Sequence, residues 1–252
     1  MNPITVIIPT HKHNDRLVGL AKLIKTLSIS SNDKYIEKIL IIDNGNSLDR
    51  SPENLGFVNN EKIKIIGEPK IGLSYARNTG IIKAKTSIVA FLDDDVIVSE
   101  FWAKSIVCGH SEHHDAFCVG GPVLVEEKEN KKYPVWFSDY FLRFILPPYF
   151  PKQSCNLESP YYLIGANMSF KKETFERFGL FDLNLGRKGS NLLSNEDIEF
   201  LARIPAGKTW YESGAAISEK IPEKKLTRIF MVRRLFWQGI SDYIMVNKKR
   251  IG

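Results

Sequence analysis

Three adjacent carboxylates, Asp93, Asp94 and Asp95, follow an apolar run in the segment FLDDDV. Like charges this close repel one another, so the triplet is unfavourable unless a counter-ion compensates it. Mg²⁺ and Mn²⁺ are hard ions that bind one or two carboxylates together with substrate phosphates. A solvated acidic turn has the same composition, so the position of the triplet in the fold decides between the two interpretations.

A second acidic pair, Glu196 and Asp197, lies in the segment SNEDIEF. Ser194 can cap a helix that starts there, and acidic side chains in the first helical turn are favourable against the helix dipole. The preceding segment GRKGSNLL is flexible enough to bring a carboxylate over a bound substrate, where it can act as a general base. The pair is therefore either a helix start or a catalytic group.

Two further segments, IIDNGN (41–46) and IGLSYARNTGI (71–81), place polar residues next to glycines. Asp43 and Asn44 are suited to hydrogen-bonding a base or a ribose, although the segment on its own is better explained by a hairpin-like turn. Gly72 frees the chain before a helix, and Arg77 can reach a phosphate or brace the acidic cluster.

Predicted strands and helices alternate along the first part of the chain, and these elements must position the residues described above. Short runs rich in Val and Ile are typical of strands buried on both faces. Leu17, Leu20, Ala21, Ile24 and Leu27 recur at helical spacing between the first two runs. This alternation predicts a mostly parallel sheet with its ligand site at the carboxyl ends of the strands, in the loops after Ile8, Ile42 and Leu92. The four predicted strands are Ile4–Ile8, Lys38–Ile42, Lys62–Ile66 and Ser87–Leu92.

The second half of the chain has no such rhythm. Aromatic and proline residues crowd the segment 133–151, which we interpret as a lid or acceptor loop. A strand is predicted over Tyr162–Phe170 and helices over Ser74–Ala84 and Lys172–Phe178, with another helix from Glu196.

The bulk composition narrows the function classes. The chain has 252 residues and a net charge of +6, which suits phosphate-bearing ligands or an anionic membrane surface and is too mild to indicate nucleic acid. Three cysteines without a CxxC pair indicate neither a disulfide framework nor a zinc site. The N-terminus does not have the pattern of a secretory signal, and no run reaches the roughly 20 apolar residues of a membrane span. We expect a cytoplasmic protein, with any membrane contact peripheral at the inner face.

The order and spacing of six segments resemble glycosyltransferase family 2, from Thr5 to about Gly239. The segments are VIIPTHK, IIDNGN, GLSYARNTGI, FLDDDV, GANMSF (165–170) and NED (195–197). The resemblance implies an α/β fold of the GT-A type, a nucleotide-diphospho-sugar transferase fold with a mostly parallel central sheet flanked by helices. It implies one domain over 1–252, with a nucleotide-sugar half (1–120), an acceptor half (121–223) and a C-terminal amphipathic tail (224–252).

The resemblance also implies a reaction. An inverting transferase of this kind moves a sugar from a nucleotide diphosphate donor, expected to be a UDP-sugar, to an acceptor hydroxyl in polysaccharide or glycoconjugate biosynthesis. Asp95, with Asp93, holds Mn²⁺ or Mg²⁺ against the donor diphosphate, and Asp93 and Asp94 lie near the ribose and the metal. Asp197 deprotonates the acceptor, a saccharide or glycolipid, and Glu196 orients the loop or contacts the acceptor.

Other positions are carried over from the family in the same way. Three residues depart from its usual pattern: His11 stands where many members have Tyr or Phe, Asn44 stands where many have Asp, and Glu219 stands where many have a metal-binding His. Residues implied at the donor are Pro9, Thr10, His11, Asp43, Asn44, Arg77, Asp93 and Asp94; residues implied at the donor and acceptor floor are Gly165 and Asn167, and Glu219 joins the metal ligands.

Rival functions remain. A dinucleotide-binding oxidoreductase requires a GxGxxG turn after the first strand, and this chain has PTHKHND there. A sugar-nucleotide nucleotidyltransferase usually opens with a Gly-rich basic loop that is absent here. A non-catalytic sugar-binding protein of the same fold stays open as a further alternative.

The tail from Lys224 to Ile244 mixes basic and apolar residues at helical spacing. Such a helix either closes the core or docks on a membrane surface, as an acceptor on a lipid carrier would require. Its apolar face contains residues that are typical of a buried stripe, which favours packing against the core.

Overall fold

A computed structural model describes residues 2–11, 14–46, 60–126, 133–138, 141, 144–145, 150–158 and 161–251. Eight of the 19 residues of the aromatic segment 133–151 lie outside these ranges, so the lid or acceptor loop expected there stays a prediction. The strands are β1 (Ile4–His11), β2 (Ile36–Asn44), β3 (Ile63–Glu68), β4 (Ile88–Leu92), β5 (Val96–Val98), β6 (Cys118–Gly120), β7 (Val123–Val125), β8 (Cys155–Asn156), β9 (Asn167–Lys171), β10 (Thr209–Tyr211) and β11 (Ile217–Glu219).

The helices connect and cover these strands. They are α1 (Asn14–Leu27), α2 (Ser30–Asp33), α3 (Leu73–Lys83), α4 (Trp102–Glu112), α5 (Lys172–Phe178), α6 (Glu196–Leu201) and α7 (Arg228–Ile251), with a 3₁₀ helix at Glu223–Leu226 before α7. The predicted helix over Lys172–Phe178 is confirmed. The strand expected from Tyr162 begins only at Asn167. Among the described residues, no helix is both long and apolar enough to span a bilayer.

The main sheet has eight strands in the order β3-β2-β1-β4-β9-β6-β10-β8. The first four are mutually parallel, as the buried Val and Ile runs predict. β9 then runs antiparallel to both β4 and β6. The sheet is therefore parallel in its first half and mixed in its second.

Two apolar layers enclose this sheet because alternate side chains of each strand point to opposite faces. Ile4, Val6 and Ile8 of β1 pack with α1 and α4 on one face. Ile7 packs on the other face with α3, and aromatic residues of α5 and α6 complete that layer. The strands are thus held rigidly from both sides, which fixes the loops at their carboxyl ends.

A second, three-stranded sheet has the order β5-β11-β7. β5 starts directly after the acidic triplet, and in the antiparallel pair of β11 with β5 Glu219 lies opposite Val96. Glu219 is therefore brought beside the triplet although 123 positions separate it from Val96 in the chain.

Candidate functional site

A cavity of about 750 Å³ opens at the carboxyl ends of the parallel strands. This is the place where open α/β sheets bind their ligands. Of the residues that the sequence singled out, those lining the cavity are Pro9, Thr10, His11, Asn44, Arg77, Asp93, Asp94, Asp95, Gly165, Glu196, Asp197 and Glu219.

Asp94 is the inward-facing member of the acidic triplet. Its side chain is almost fully buried, and it accepts hydrogen bonds from Thr10 Oγ1 at 2.6 Å and from Arg16 Nη1 at 2.9 Å. Burial raises the pKa of Asp94 to about 6, against the opposing effects of Arg16 and Thr10. Gly19 of α1 permits this close approach, because a Cβ there would stand 2.9 Å from the carbonyl oxygen of Asp94. Thr10 therefore anchors the acidic turn.

Asp95, Asp93 and Glu219 form the carboxylate wall of the cavity. Asp95 is exposed to the cavity, and Asp93 is partly exposed. Desolvation, followed by the charge of Asp93, raises the pKa of Asp95. Burial raises the pKa of Glu219 to about 7; Lys225 opposes that shift, and the charges of Asp93 and Asp95 add to it. The three carboxylates are thus close enough to repel one another.

The donor set of this wall is suited to a hard divalent ion. Among the described residues, no group of three or more His, Cys, Asp or Glu side chains is arranged as a metal cage. Mg²⁺ is usually bound by one or two carboxylates plus substrate phosphates, and Mn²⁺ also accepts oxygen ligands. Asp95 and Asp93 supply such oxygen atoms, and the third carboxylate of the turn, Asp94, is held in place by Thr10 and Arg16.

Arg77 lies under the site and joins its two acidic segments. The buried guanidinium donates from Nη1 to Glu196 Oε1 at 2.7 Å, and Nη2 is 3.8 Å from Asp93 Oδ1. A Cβ on Gly165 would overlap the guanidinium of Arg77, so glycine allows the backbone to approach this side chain closely. Of the two roles that the sequence suggested for Arg77, bracing the acidic cluster is the one that this geometry supports.

Glu196 and Asp197 face different partners. Glu196 is buried, and desolvation and the neighbouring Asp197 raise its pKa, while Arg77 opposes the shift. Asp197 is half-buried; its Oδ2 accepts from the backbone N–H of Gly165 at 2.9 Å and its Oδ1 from the N–H of Ile198 at 2.8 Å. Asp197 therefore presents a fixed carboxylate to the cavity, whereas Glu196 is occupied by an ion pair.

The loops expected to bind the nucleotide are tied to one another. His11 Nδ1 is 2.5 Å from the carbonyl oxygen of Asn44. The Asn44 side chain accepts from the N–H of Gly72 at 2.8 Å and donates to the carbonyl of Lys70 at 2.8 Å. Asp43 is fully buried and does not line the cavity, so the structure does not bring it to the site.

Asn167 requires a correction, because the structure places it in the core and not on the acceptor floor. Its side chain is fully buried and accepts from Trp102 Nε1 at 2.9 Å. It donates to the carbonyl oxygens of Pro122 at 3.2 Å and Ala215 at 2.8 Å. These bonds join the two sheets, so the amide has a structural role.

Ser194 does not cap the helix that carries Glu196 and Asp197. Helix α6 begins after Asn195, which has left-handed backbone angles and makes no side-chain capping bond. The side chains of both residues instead contact α7.

Sequence reasoning missed several basic residues that line the cavity, among them Arg16, Arg187 and Lys225. Arg16 holds Asp94, and the charges of Lys225 and Arg187 oppose the raised pKa of Glu219. A search for cations close after the opening loop would have flagged Arg16; Arg187 and Lys225 carried no comparable local signal.

Comparisons with known proteins identify the family and the fold of the chain. A family model described as "Glycosyl transferase family 2" matches residues 5–179. The chain is 25% identical over 253 residues to "Glucosyl-dolichyl phosphate glucuronosyltransferase" of Haloferax volcanii, covering 96% of this chain and 77% of that protein. It is 23% identical over 256 residues to "Putative polypeptide N-acetylgalactosaminyltransferase 9" of Drosophila melanogaster, covering 95% of this chain and 38% of that protein.

A crystal structure of GalNAc-T7 with UDP, GalNAc and Mn²⁺ superposes with a TM-score of 0.61 at 18% identity. The match covers 88% of this chain and 44% of that one. At this identity the likeness shows the fold, and the expected GT-A fold is confirmed.

Proposed function

This chain belongs to glycosyl transferase family 2, and from that premise we propose that it is an inverting, metal-dependent transferase acting on a nucleotide diphosphate sugar. The proposal rests on one observation, that two sets of carboxylates line a single cavity. The carboxylate wall of Asp93, Asp95 and Glu219 and the fixed carboxylate of Asp197 line the same cavity. A donor diphosphate needs carboxylates that hold its metal ion, and an acceptor hydroxyl needs a carboxylate that removes its proton.

Asp95 and Asp93 are the residues that would hold the divalent ion together with the donor phosphates, and Glu219 lies beside them as the further ligand that the family pattern implies. When bound, such an ion neutralises the charge that develops on a leaving diphosphate. Arg16 and Thr10 keep Asp94 turned inward, so the exposed oxygens of its two neighbours remain available. The presence of UDP and Mn²⁺ in the GalNAc-T7 structure supports a uridine nucleotide and Mn²⁺ as the first choices to test.

Asp197 acts as the general base. Its carboxylate accepts the proton of the acceptor hydroxyl while the hydroxyl oxygen forms a bond to C1 of the donor sugar. The bond from C1 to the nucleotide diphosphate breaks on the opposite face, and the anomeric configuration inverts. The N–H groups of Gly165 and Ile198 keep the carboxylate oriented during this transfer.

The acceptor is proposed to be carried on a lipid. The Haloferax volcanii relative is named for a glucosyl-dolichyl phosphate, which supports a lipid phosphate as carrier. Helix α7 leads away from the cavity, which Phe230 lines, and exposes a stripe of large apolar side chains. The stripe consists of Ile229, Val232, Phe236, Tyr243 and Val246, each at least half exposed.

The positive charge of α7 favours an anionic bilayer as the surface that covers this stripe. The helix carries six basic residues and one acidic residue, Asp242. A second copy of the same helix would bring like charges together, whereas anionic lipid headgroups complement them. A helix with an exposed apolar stripe and flanking cations is typical of one that lies in the membrane interface.

A screen of nucleotide sugars tests the reaction. We expect one nucleotide sugar, incubated with a lipid-phosphate-linked sugar acceptor, to release free nucleoside diphosphate in the presence of Mn²⁺ and not in EDTA. Release of pyrophosphate from a nucleoside triphosphate and a sugar phosphate would instead assign a nucleotidyltransferase. Sugar binding without any release would assign a non-catalytic protein.

A further inference from the structure

Helix α7 contacts the short segment that leads into the catalytic helix α6. We infer that Gln238 and Asp242 of α7 are positioning residues that hold Asn195, and through it set the direction of the Asp197 carboxylate. The inference rests on the proposed role of Asp197 as the base.

Asn195 has left-handed backbone angles at the start of α6. Its φ of 70° lies in the left-handed region, which non-glycine residues rarely adopt. It occupies the N-cap of α6, where an Asn side chain usually accepts a hydrogen bond from the helix, but it makes no capping bond here. Its side-chain amide instead forms hydrogen bonds to residues outside α6.

Both ends of this amide are bonded to α7. Asn195 Nδ2 donates to Asp242 Oδ1 at 2.7 Å, and Asn195 Oδ1 accepts from Gln238 Nε2 at 3.0 Å. Gln238 Nε2 also lies 2.8 Å from Asp242 Oδ1, so the three side chains form one connected network. The short distances and the burial of Asn195 indicate a fixed attachment.

Ser194 adds a second attachment to the same helix. Its backbone N–H donates to Ser241 Oγ at 3.0 Å, and its hydroxyl lies 3.1 Å from Gln238 Oε1. Ser241 is fully buried and donates its own proton to the carbonyl of Trp237 at 2.8 Å, so its oxygen is held as an acceptor. The backbone and side chains of two successive residues are thus tied to α7.

This attachment bears directly on the base. Asn195 is two residues before Asp197, and Asp197 reaches Gly165 only if the first turn of α6 has the right rotation. Successive helix residues point about 100° apart, so a small rotation would turn the carboxylate away from the acceptor. A displacement of about 1 Å at a reacting group can reduce the rate about 100-fold.

Matched variants of one residue separate positioning from general packing. Asp242→Asn keeps an oxygen that can accept from both Asn195 and Gln238, whereas Asp242→Leu removes it. We expect Asp242→Leu and Gln238→Leu to lower kcat about tenfold or more, with the KM for the donor and the Mn²⁺-dependent affinity for UDP unchanged. Asp242→Asn should retain most of kcat. Asn247→Ala, on the same helix with its amide bonded only within α7 among the described contacts, serves as control.

Hydrogen exchange of the unliganded protein tests the attachment without any activity. The amide of Ser194 should exchange faster in both leucine variants than in the wild type and in Asn247→Ala. Asn195→Gly, which keeps the left-handed backbone without the amide, provides a second variant if a leucine variant does not fold, and it should also lose kcat.

The outcomes distinguish this inference from the proposed reaction. Unchanged exchange at Ser194 in both leucine variants contradicts the attachment. Faster exchange with unchanged kcat reduces the network to a structural role and overturns positioning. If no donor is turned over by the wild type, the proposed reaction fails and takes the positioning role with it, while exchange still decides the attachment.

Discussion

Asp93, Asp94 and Asp95 are neighbours in sequence but occupy three environments. Asp94 is buried against Thr10 and Arg16, Asp93 is partly exposed near Arg77, and Asp95 is exposed to the cavity. The triplet together with its position at the end of a strand predicted a metal site, but not which carboxylate anchors the turn. That assignment depends on Arg16, which comes from another element.

The first residue-scale prediction concerns the metal ligands. Asp95→Ala should abolish Mn²⁺-dependent binding of UDP, and EDTA should do the same to the wild type, because the donor diphosphate needs the ion. Glu219→Gln should weaken Mn²⁺ binding and leave the fold intact. Calorimetric titration of UDP with and without Mn²⁺ measures both. Full binding of UDP by Asp95→Ala with Mn²⁺, or by the wild type in EDTA, would contradict the metal assignment. Unchanged metal dependence in Glu219→Gln would show that Glu219 does not contribute to metal binding.

A second residue-scale prediction concerns Glu196. Its carboxylate neutralises the buried guanidinium of Arg77, so Glu196→Gln weakens a charged hydrogen bond in the interior. We expect a loss of about 1 to 3 kcal/mol in the free energy of unfolding. Asp197→Asn should lose far less, because Asp197 has no buried ionic partner among the described contacts. Urea unfolding of the two variants is the measurement, and equal stability would contradict the bracing role.

The elements were more predictable than the site residues. Parallel strands β1 to β4 and helix α5 follow from apolar periodicity, which depends on local sequence. The antiparallel insertion of β9 and the small sheet that carries Glu219 depend on long-range pairing and have no local signature. Asn167 shows the same limit, because its partners Trp102 and Ala215 come from distant segments.

An element-scale prediction follows from the contact of α4 with β9. His110 of α4 lies 3.0 Å from Ser169 Oγ, and Ser169 donates its proton to the carbonyl of Val119, so the ring carries its proton on Nε2. Nδ1 has no hydrogen-bond partner among the described residues. Burial, with a smaller effect of Lys171, lowers the pKa of His110 from 6.5 to about 3.

The consequence is a pH-dependent stability with a defined sign. Since the unfolded chain binds this proton more readily, the stability contributed by neutral His110 is fully present above pH 6.5. It is lost progressively as the pH falls from 6.5 toward 3, by about 1.4 kcal/mol per unit. Urea unfolding at pH 7 and pH 5.5 should show a smaller difference for His110→Gln than for the wild type. Identical differences would contradict the buried neutral ring.

At the scale of the whole molecule, α7 has two faces with different tasks. The inner face holds Ser194 and Asn195, and the outer face exposes the apolar stripe. The sequence indicated an amphipathic helix but did not fix which of its apolar residues face outward. The structure leaves Phe230, Leu235 and Trp237 only partly exposed, whereas Phe236 is exposed.

We predict that the protein binds vesicles containing anionic lipid and not vesicles of phosphatidylcholine alone. Binding should weaken as salt rises, because the cations of α7 contribute. Phe236→Ser should reduce binding in a sedimentation assay, while Ile82→Ser, which alters an equally exposed apolar residue on α3, should not. A lipid-free dimer that Phe236→Ser dissociates would show instead that the stripe pairs with a second copy.

In the proposed reaction, Asp197 takes the proton of the acceptor hydroxyl. The most direct measurement compares Asp197→Asn with the wild type in two assays, transfer with the donor and acceptor found by the screen and calorimetric binding of UDP with Mn²⁺. A general base contributes about 10² to 10⁴ in rate, so transfer should fall by that factor. UDP affinity should stay unchanged, because the carboxylate acts on the acceptor and not on the donor. Transfer near the wild-type rate, or a loss of UDP binding equal to the loss of transfer, would contradict the account.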